Sequence, residues 1–309
     1  MSEKHRKVEF GDFQTPLDLA TIVCNMLQKF GVCPGTVIEP SCGEGTFLEA
    51  AARVFGKDIE YYGFDINSEY VSHANKRMLV ACAEFASTIS TQDFFDFDWK
   101  LFVQGKDAPL LFLGNLPWVT NSSLGNIGAS NMPEKSNIKG LNGLNARTGK
   151  SNFDISEWML LKLVESAKDQ VFTIAMLCKT GVARKVLEHC WKNGSGPVES
   201  ALYRFSAADW FGASVDACLF YAVFGPGSQN PKNALVYETL DRTVPPTRFG
   251  LVDGGMVSSV DDYNNLKYLS GINYYRWRSG IKHDLVKVME LSIVGRKLHN
   301  EGVLKTPCR

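Results

Sequence analysis

No stretch of the 309 residues runs 18 apolar positions in a row, so no segment is expected to span a membrane. The opening residues, MSEKHRKVEF, are polar and lack the apolar centre of a secretory leader. None of the eight cysteines (positions 24, 33, 42, 82, 178, 190, 218 and 308) falls in a C-x-x-C pair, and the five histidines do not gather near them. That spacing gives no support for a zinc site or any other metal. It reads as reduced, mostly buried thiols of a cytoplasmic protein. Neither sign of charge prevails, with 33 basic and 33 acidic residues, so net charge speaks neither for nor against a polyanionic partner. Internal repeats and a complete G-x-G-x-x-G loop are also missing, which argues against a nicotinamide dinucleotide.

What is present is the composition of a soluble globular chain, 45% hydrophobic and 21% charged. Short apolar runs alternate with helical periodicity. Strands are expected at 36–40, 59–66, 87–94, 108–115 and 171–178. Helices are expected over 15–31, 43–56, 67–82, 154–169 and 180–193, the first capped by Thr15 and the fourth by Asp154 or Ser156. Two further strands, SALYRFS (200–206) and DACLFYAVFG (216–225), follow each other with no long helix between. This order predicts an α/β fold: a doubly wound, mostly parallel, seven-stranded Rossmann-like sheet closed by a C-terminal antiparallel hairpin at its edge. The catalytic domain is expected over 1–229 and a proline-bearing linker over 230–246. A small basic appendage, 247–309, could begin a recognition domain. From Arg242 to the end there are 11 Lys/Arg and 6 Asp/Glu, and 119–152 is rich in Asn, Gly, Ser and Lys. These are the stretches where nucleic acid could be met.

In an open parallel sheet, ligands bind at the carboxyl ends of the strands, beside the switch point in strand order. Those ends read Glu39-Pro40-Ser41-Cys42-Gly43-Glu44-Gly45, then Asp65-Ile66, then Asp93-Phe94, then Asn115-Leu116-Pro117-Trp118. The two glycines allow a tight turn and close backbone approach. Asp65 stands where a carboxylate accepts from two ribose hydroxyls. Glu39 and Glu44 would repel a pyrophosphate but suit a ligand with positive charge, such as an ammonium or a sulfonium. S-adenosylmethionine combines adenosine, a sulfonium and an amino acid, with Asp93 and Phe94 placed for its adenine. Each carboxylate alone reads equally well as a helix cap or a solvated loop end; their succession at three strand ends is what carries the reading.

The fourth strand end supplies a methyl acceptor's geometry. An aromatic amine delocalises its lone pair and becomes nucleophilic only when drawn toward tetrahedral geometry. Two acceptors aimed at its N–H bonds would do this: the Asn115 side-chain oxygen and the Leu116 carbonyl, held extended before Pro117. Trp118 offers a stacking face. Taken alone, NLPW is also what a strand ending in a turn with a core tryptophan would look like.

Together these stretches resemble the amino-directed DNA methyltransferases of the N6-adenine type. GDFQTP (11–16) resembles that family's F-x-T-P element, whose Thr15 and Pro16 would close over the cofactor. VIEPSCGEGTFLEA (37–50) resembles its glycine motif, GFDI (63–66) its ribose-binding strand end and QDF (92–94) its adenine-contacting one. NLPW (115–118) is similar to its N-P-P-Y/F/W tetrad, with Leu116 in place of the first proline. The resemblance covers about residues 8–225 and implies double-stranded DNA with one base flipped out. It also implies an aromatic near the closing hairpin on the base's other face, for which Phe211 is the first candidate and Trp210 the second. Lys150 in the basic stretch, with Arg276 and Arg278 in YYRWRSGIKHD (274–284), are candidate DNA contacts. An associated restriction endonuclease or a further recognition domain would complete such a system. RNA adenine-N6 and protein glutamine-N5 methyltransferases share the tetrad and stay open as alternatives. So does a non-catalytic nucleic-acid-binding relic, although that reading predicts loss of the donor-site residues.

Overall fold

The computed structural model describes residues 13–81, 86–119, 154–225 and 230–269, with the backbone of 291–294 and 297–300. Lys150, Arg276, Arg278 and nearly all of the 119–152 stretch lie outside the described residues. The chain divides into two units, Met1–Asn264 and Asn265–Arg309.

The first unit opens with α1 (Leu17–Lys29), which buries Leu19, Ala20, Val23, Cys24 and Leu27 on one stripe. Pro16 holds its N-cap position and no side chain caps it. The capping role expected of Thr15 is therefore not filled, because the helix starts one residue too late for its hydroxyl. Then come β1 (Thr36–Glu39), α2 (Thr46–Phe55), β2 (Glu60–Asp65), α3 (Ser68–Ala81), β3 (Ser87–Thr91) and the short α4 (Trp99–Gln104). After β4 (Leu110–Asn115) follow α5 (Ile155–Ala167), β5 (Phe172–Lys179), α6 (Thr180–Lys192), β6 (Glu199–Ser206), α7 (Ala207–Phe211) and β7 (Asp216–Phe224). The capping expected of Asp154 is present: its side chain accepts from the Ser156 N–H.

The sheet has ten strands where seven were expected, in the order β10-β9-β8-β6-β7-β5-β4-β1-β2-β3. The additional strands are β8 (Asn233–Tyr237), β9 (Thr247–Val252) and β10 (Gly255–Val257), with α8 (Val260–Leu266) beyond them. The segment read as a linker, 230–246, thus contains β8, whose Ala234 and Val236 are buried. Pro231 lies just before that short strand and Pro245 and Pro246 at the far end of the stretch, which made the whole of it look like loop. The β6–β7 antiparallel pair is consequently interior, not the sheet edge: β8 pairs in parallel with the outer side of β6.

Successive residues of a strand face opposite sides of a sheet. On β4, Leu110 and Phe112 join one buried cluster with Ile174, Leu187, Trp191 and Leu202. Leu111 and Leu113 join the other, with Val23, Leu27, Val37, Phe47 and Leu48 from α1, β1 and α2. Both faces are covered, which is why this strand reads as an unbroken apolar run. The chain runs β1 to β2 to β3 on one side, then returns to β4 on the other. The boundary between β1 and β4 is therefore the switch point, and their carboxyl ends carry Glu39 and Asn115.

In the second unit, Lys267–Leu269 form a short 3-10 turn, and β11 (Leu291–Val294) pairs antiparallel with β12 (Lys297–Asn300). Among the described residues, no helix is long and apolar enough to cross a membrane.

Candidate active site at the switch point

A cleft opens at the carboxyl ends of β1 to β4. Thr15, Glu39, Pro40, Ser41, Cys42, Gly43, Asp65, Ile66, Asp93, Phe94, Asn115 and Pro117 line it. Phe13, Gln14, Thr46, Phe47, Asn67, Tyr70, Gln92, Phe95, Val119, Ile155 and Met159 complete the lining. Its charged groups are carboxylates: no lysine or arginine is among these residues. The cleft therefore offers negative charge to a ligand.

Glu39 is 3% exposed at the end of β1. One carboxylate oxygen accepts the Leu48 N–H at 3.2 Å. Burial holds this carboxyl well above the usual carboxylate range; the Leu48 N–H opposes that and the nearby Asp65 adds to it. A cation brought into the cleft would favour its ionised form.

Asp65 ends β2 and organises the loops on either side. Its Oδ2 accepts the Gly43 N–H at 2.8 Å and its Oδ1 the Asn67 N–H at 2.9 Å. These bonds fix the carboxylate's orientation at the cleft. Gly43 and Gly45 both have positive φ, +49° and +76°. Their tasks differ. A Cβ on Gly43 would fall 2.6 Å from the Gln14 side chain, whereas one on Gly45 would fall 2.8 Å from the Cβ of Ala74 on α3. Gly43 lines the cleft; Gly45 lets two helices meet and does not line it. The Cys42 thiol, buried and close to Glu39 and Asp65, is pushed far up and stays protonated.

Asp93 lies beyond the end of β3, where its Oδ1 accepts the Phe95 N–H at 2.8 Å. The turn is held from behind by Lys162 on α5, whose Nζ donates to the carbonyl of Phe95 at 2.6 Å and of Phe94 at 3.4 Å. Burial lowers the lysine's pKa, against the pull of Asp96, Asp93 and Asp98. Phe94 packs on Trp99 and Phe95 stacks on Trp158.

The Asn115 carboxamide is split in its bonding. Nδ2 donates to the main-chain carbonyl of Phe13 at 3.0 Å. Oδ1 is buried and has no hydrogen-bond partner among the described residues. With the nitrogen engaged, the oxygen is the end left for a donor. Leu116 is 1% exposed and donates its N–H to the Leu177 carbonyl, so its side chain anchors the turn and lies outside the cleft. Trp118 is 6% exposed and also lies outside it. Its ring meets Phe13 at 5.4 Å and Phe211 at 5.1 Å, centroid to centroid. A base stacking on the indole would have to displace a packed neighbour. Phe211, at the end of α7, is thus brought to Trp118. Pro16 is adjacent to the cleft without lining it.

Val119 is the last described residue after the tetrad. Its carbonyl accepts the Ile155 N–H at 3.2 Å, so the chain leaves and re-enters at one point on the cleft's rim. Phe13 and Gln14 were not singled out as site residues from the sequence, although their motif was. Tyr70, Phe95 and Met159 carry no sequence signal that sets them apart from core residues.

No family model matches the chain. It is 40% identical over 286 residues to the type II methyltransferase M.NspV of Nostoc sp., covering 92% of this chain and 59% of that one. It is 29% identical over 101 residues to the type II methyltransferase M.VspI of Vibrio sp., covering 33% of this chain and 24% of that one. Among solved structures, the M protein of the type I restriction enzyme EcoKI superposes with a TM-score of 0.50, covering 74% of this chain and 48% of its own at 12% identity. The Rossmann-like α/β fold is therefore shared with that protein. The chain spans less than two thirds of each of these relatives.

Proposed function

We propose, from its similarity to type II methyltransferases over most of its length, that this chain is an S-adenosylmethionine-dependent DNA methyltransferase of the restriction-modification kind. Its acceptor in this reading is the 6-amino group of adenine. The observation that carries the reading is Asn115: a buried carboxamide at the switch point, its nitrogen tied to Phe13 and its oxygen without a partner among the described residues. An unpaired buried acceptor is costly, and an exocyclic amine would satisfy it.

The cleft suits the cofactor on its donor set. The lining carries the carboxyl groups of Glu39, Asp65 and Asp93 and no lysine or arginine. Asp65 would hold ribose hydroxyls, the Asp93–Phe95 turn would meet adenine, and the Glu39 side would face the charged methionine end. When bound, S-adenosylmethionine supplies an electrophilic methyl group on positively charged sulfur. The chain's part is positioning and fixed dipoles. Asn115 Oδ1 accepts one N–H of the amine and the Leu116 carbonyl the other, drawing the nitrogen's lone pair out of the ring. Pro117 keeps the turn extended. The amine cannot reach this point from inside a stacked duplex, so the base is flipped out. The base enters between Trp118 and Phe211 in place of their direct contact, while Phe13 keeps its own contact with the indole.

Incubation with tritium-labelled donor and separate DNA, RNA and protein acceptors tests this, followed by digestion of the labelled polymer to nucleosides or amino acids. Label in N6-methyl-2′-deoxyadenosine from DNA is the expected result. Label only in RNA or in glutamine would overturn the DNA assignment, and label in N4-methylcytosine would overturn the adenine assignment.

A further inference from the structure

Resting on that reading, we infer that Gln14 is a positioning residue that couples the cofactor loop to the Asn115 amide. Four consecutive contacts make the link. The Asp65 carboxylate holds the Gly43 N–H at 2.8 Å. The next N–H along, that of Glu44, donates to Gln14 Oε1 at 3.1 Å. The Gln14 side chain lies directly over Gly43, where any Cβ would fall 2.6 Å from Oε1, so the glycine is what lets it reach. The residue before it, Phe13, presents the carbonyl that takes Asn115 Nδ2 at 3.0 Å.

The consequence is directional. A free asparagine carboxamide can present either its oxygen or its NH2 group to an acceptor amine, and only the oxygen can accept from it. The Phe13 carbonyl selects between these orientations, and Phe13 is held there by its own ring against Trp118 and Phe211 and by its neighbour's grip on the glycine loop. A ligand that orders Gly43 and Glu44 through Asp65 therefore also steadies the amide that works on the acceptor. Loss of the Gln14 grip should loosen that amide while leaving the carboxylates that hold the cofactor in place.

The test is Gln14→Ala and Gln14→Glu in the full chain, with kinetics, calorimetry and proton–nitrogen correlation spectra. The Asn115 side-chain signals are identified by their loss in Asn115→Ala. Gln14→Ala should lower kcat about tenfold or more, because small misplacements of a positioned group are costly. Cofactor Kd should stay within about threefold, since the interaction lost acts on the chemical step. Gln14→Glu, whose carboxylate oxygen accepts the same N–H, should recover most of the rate. The Asn115 amide protons should shift in Gln14→Ala and return in Gln14→Glu. An unchanged kcat, a loss confined to cofactor Kd, or a Gln14→Glu variant no better than the alanine would overturn the inference. So would unmoved Asn115 signals, and this last readout needs no methyl acceptor. If the wild-type chain methylates no DNA while the Asn115 amide signals still move in Gln14→Ala and return in Gln14→Glu, the functional reading falls and the coupling stands.

Discussion

Gly114 on β4 faces Glu39 on β1 so closely that a Cβ on the glycine would lie 3.1 Å from Glu39 Cγ and 3.3 Å from its Oε1. The backbone there has φ +148°, a conformation that favours glycine. The residue immediately before the tetrad thus makes room for the buried carboxylate across the switch point. Gly114→Ala should destabilise the chain by about 1–3 kcal/mol through strain and overpacking. It should also weaken cofactor binding by displacing Glu39. Urea denaturation with calorimetry checks both; unaltered midpoint and affinity would mean that the close approach carries no constraint.

Glu39 itself should reveal its burial through pH. A carboxyl whose pKa is raised in the folded state binds its proton more tightly there than in the unfolded chain. Its neutral form costs nothing extra below the ordinary value of 4.5. Above it, stability is lost as pH rises toward the raised folded value. Glu39→Gln should therefore unfold at higher urea than wild type near pH 8, with the gap closing toward pH 4.5, and should bind cofactor more weakly. A gap that widens as pH falls would contradict the assigned environment.

Asp65→Ala removes the acceptor of two backbone N–H groups, each charge-assisted bond worth about 1.5–3 kcal/mol. Cofactor affinity should fall by about tenfold or more, since 1.4 kcal/mol is a factor of ten, and the glycine loop should lose amide-exchange protection. Calorimetry showing undiminished affinity would remove Asp65 from the cofactor site.

Lys179 closes β5 with an ion pair to Asp154 at 2.7 Å, and Asp154 also caps α5. Lys179→Met should cost about 2 kcal/mol by leaving a buried carboxylate short of a partner. Faster amide exchange is expected at Ile155 and Ser156, beside the cleft. Exchange unchanged there would mean that the pair does not secure the chain's return to the rim.

The alternation of buried strands and amphipathic helices was legible because each is a one-dimensional pattern: LLFL for a strand covered on both faces, Leu19/Val23/Leu27 for a helical stripe. The strand-end carboxylates were legible because an open sheet brings strand ends together whatever their sequence separation. What escaped was set by three-dimensional pairing. β8 to β10 are short, flanked by proline or glycine, and earn their place only by extending a sheet already formed. The Phe13–Asn115 bond joins a backbone carbonyl to a side chain 102 residues away, and a main-chain oxygen leaves no mark on sequence. The closing of Trp118 against Phe13 and Phe211 was equally hidden, since an aromatic residue reads the same whether it faces a ligand or a neighbouring ring.

The most direct measurement is methyl transfer to DNA by Asn115→Ala, with cofactor affinity measured on the same preparation. Transfer should fall below detection while cofactor Kd stays within about twofold, because the oxygen removed acts on the acceptor amine and not on the donor. Turnover at the wild-type rate would show that this carboxamide does not grip the amine, and the proposed chemistry would not stand.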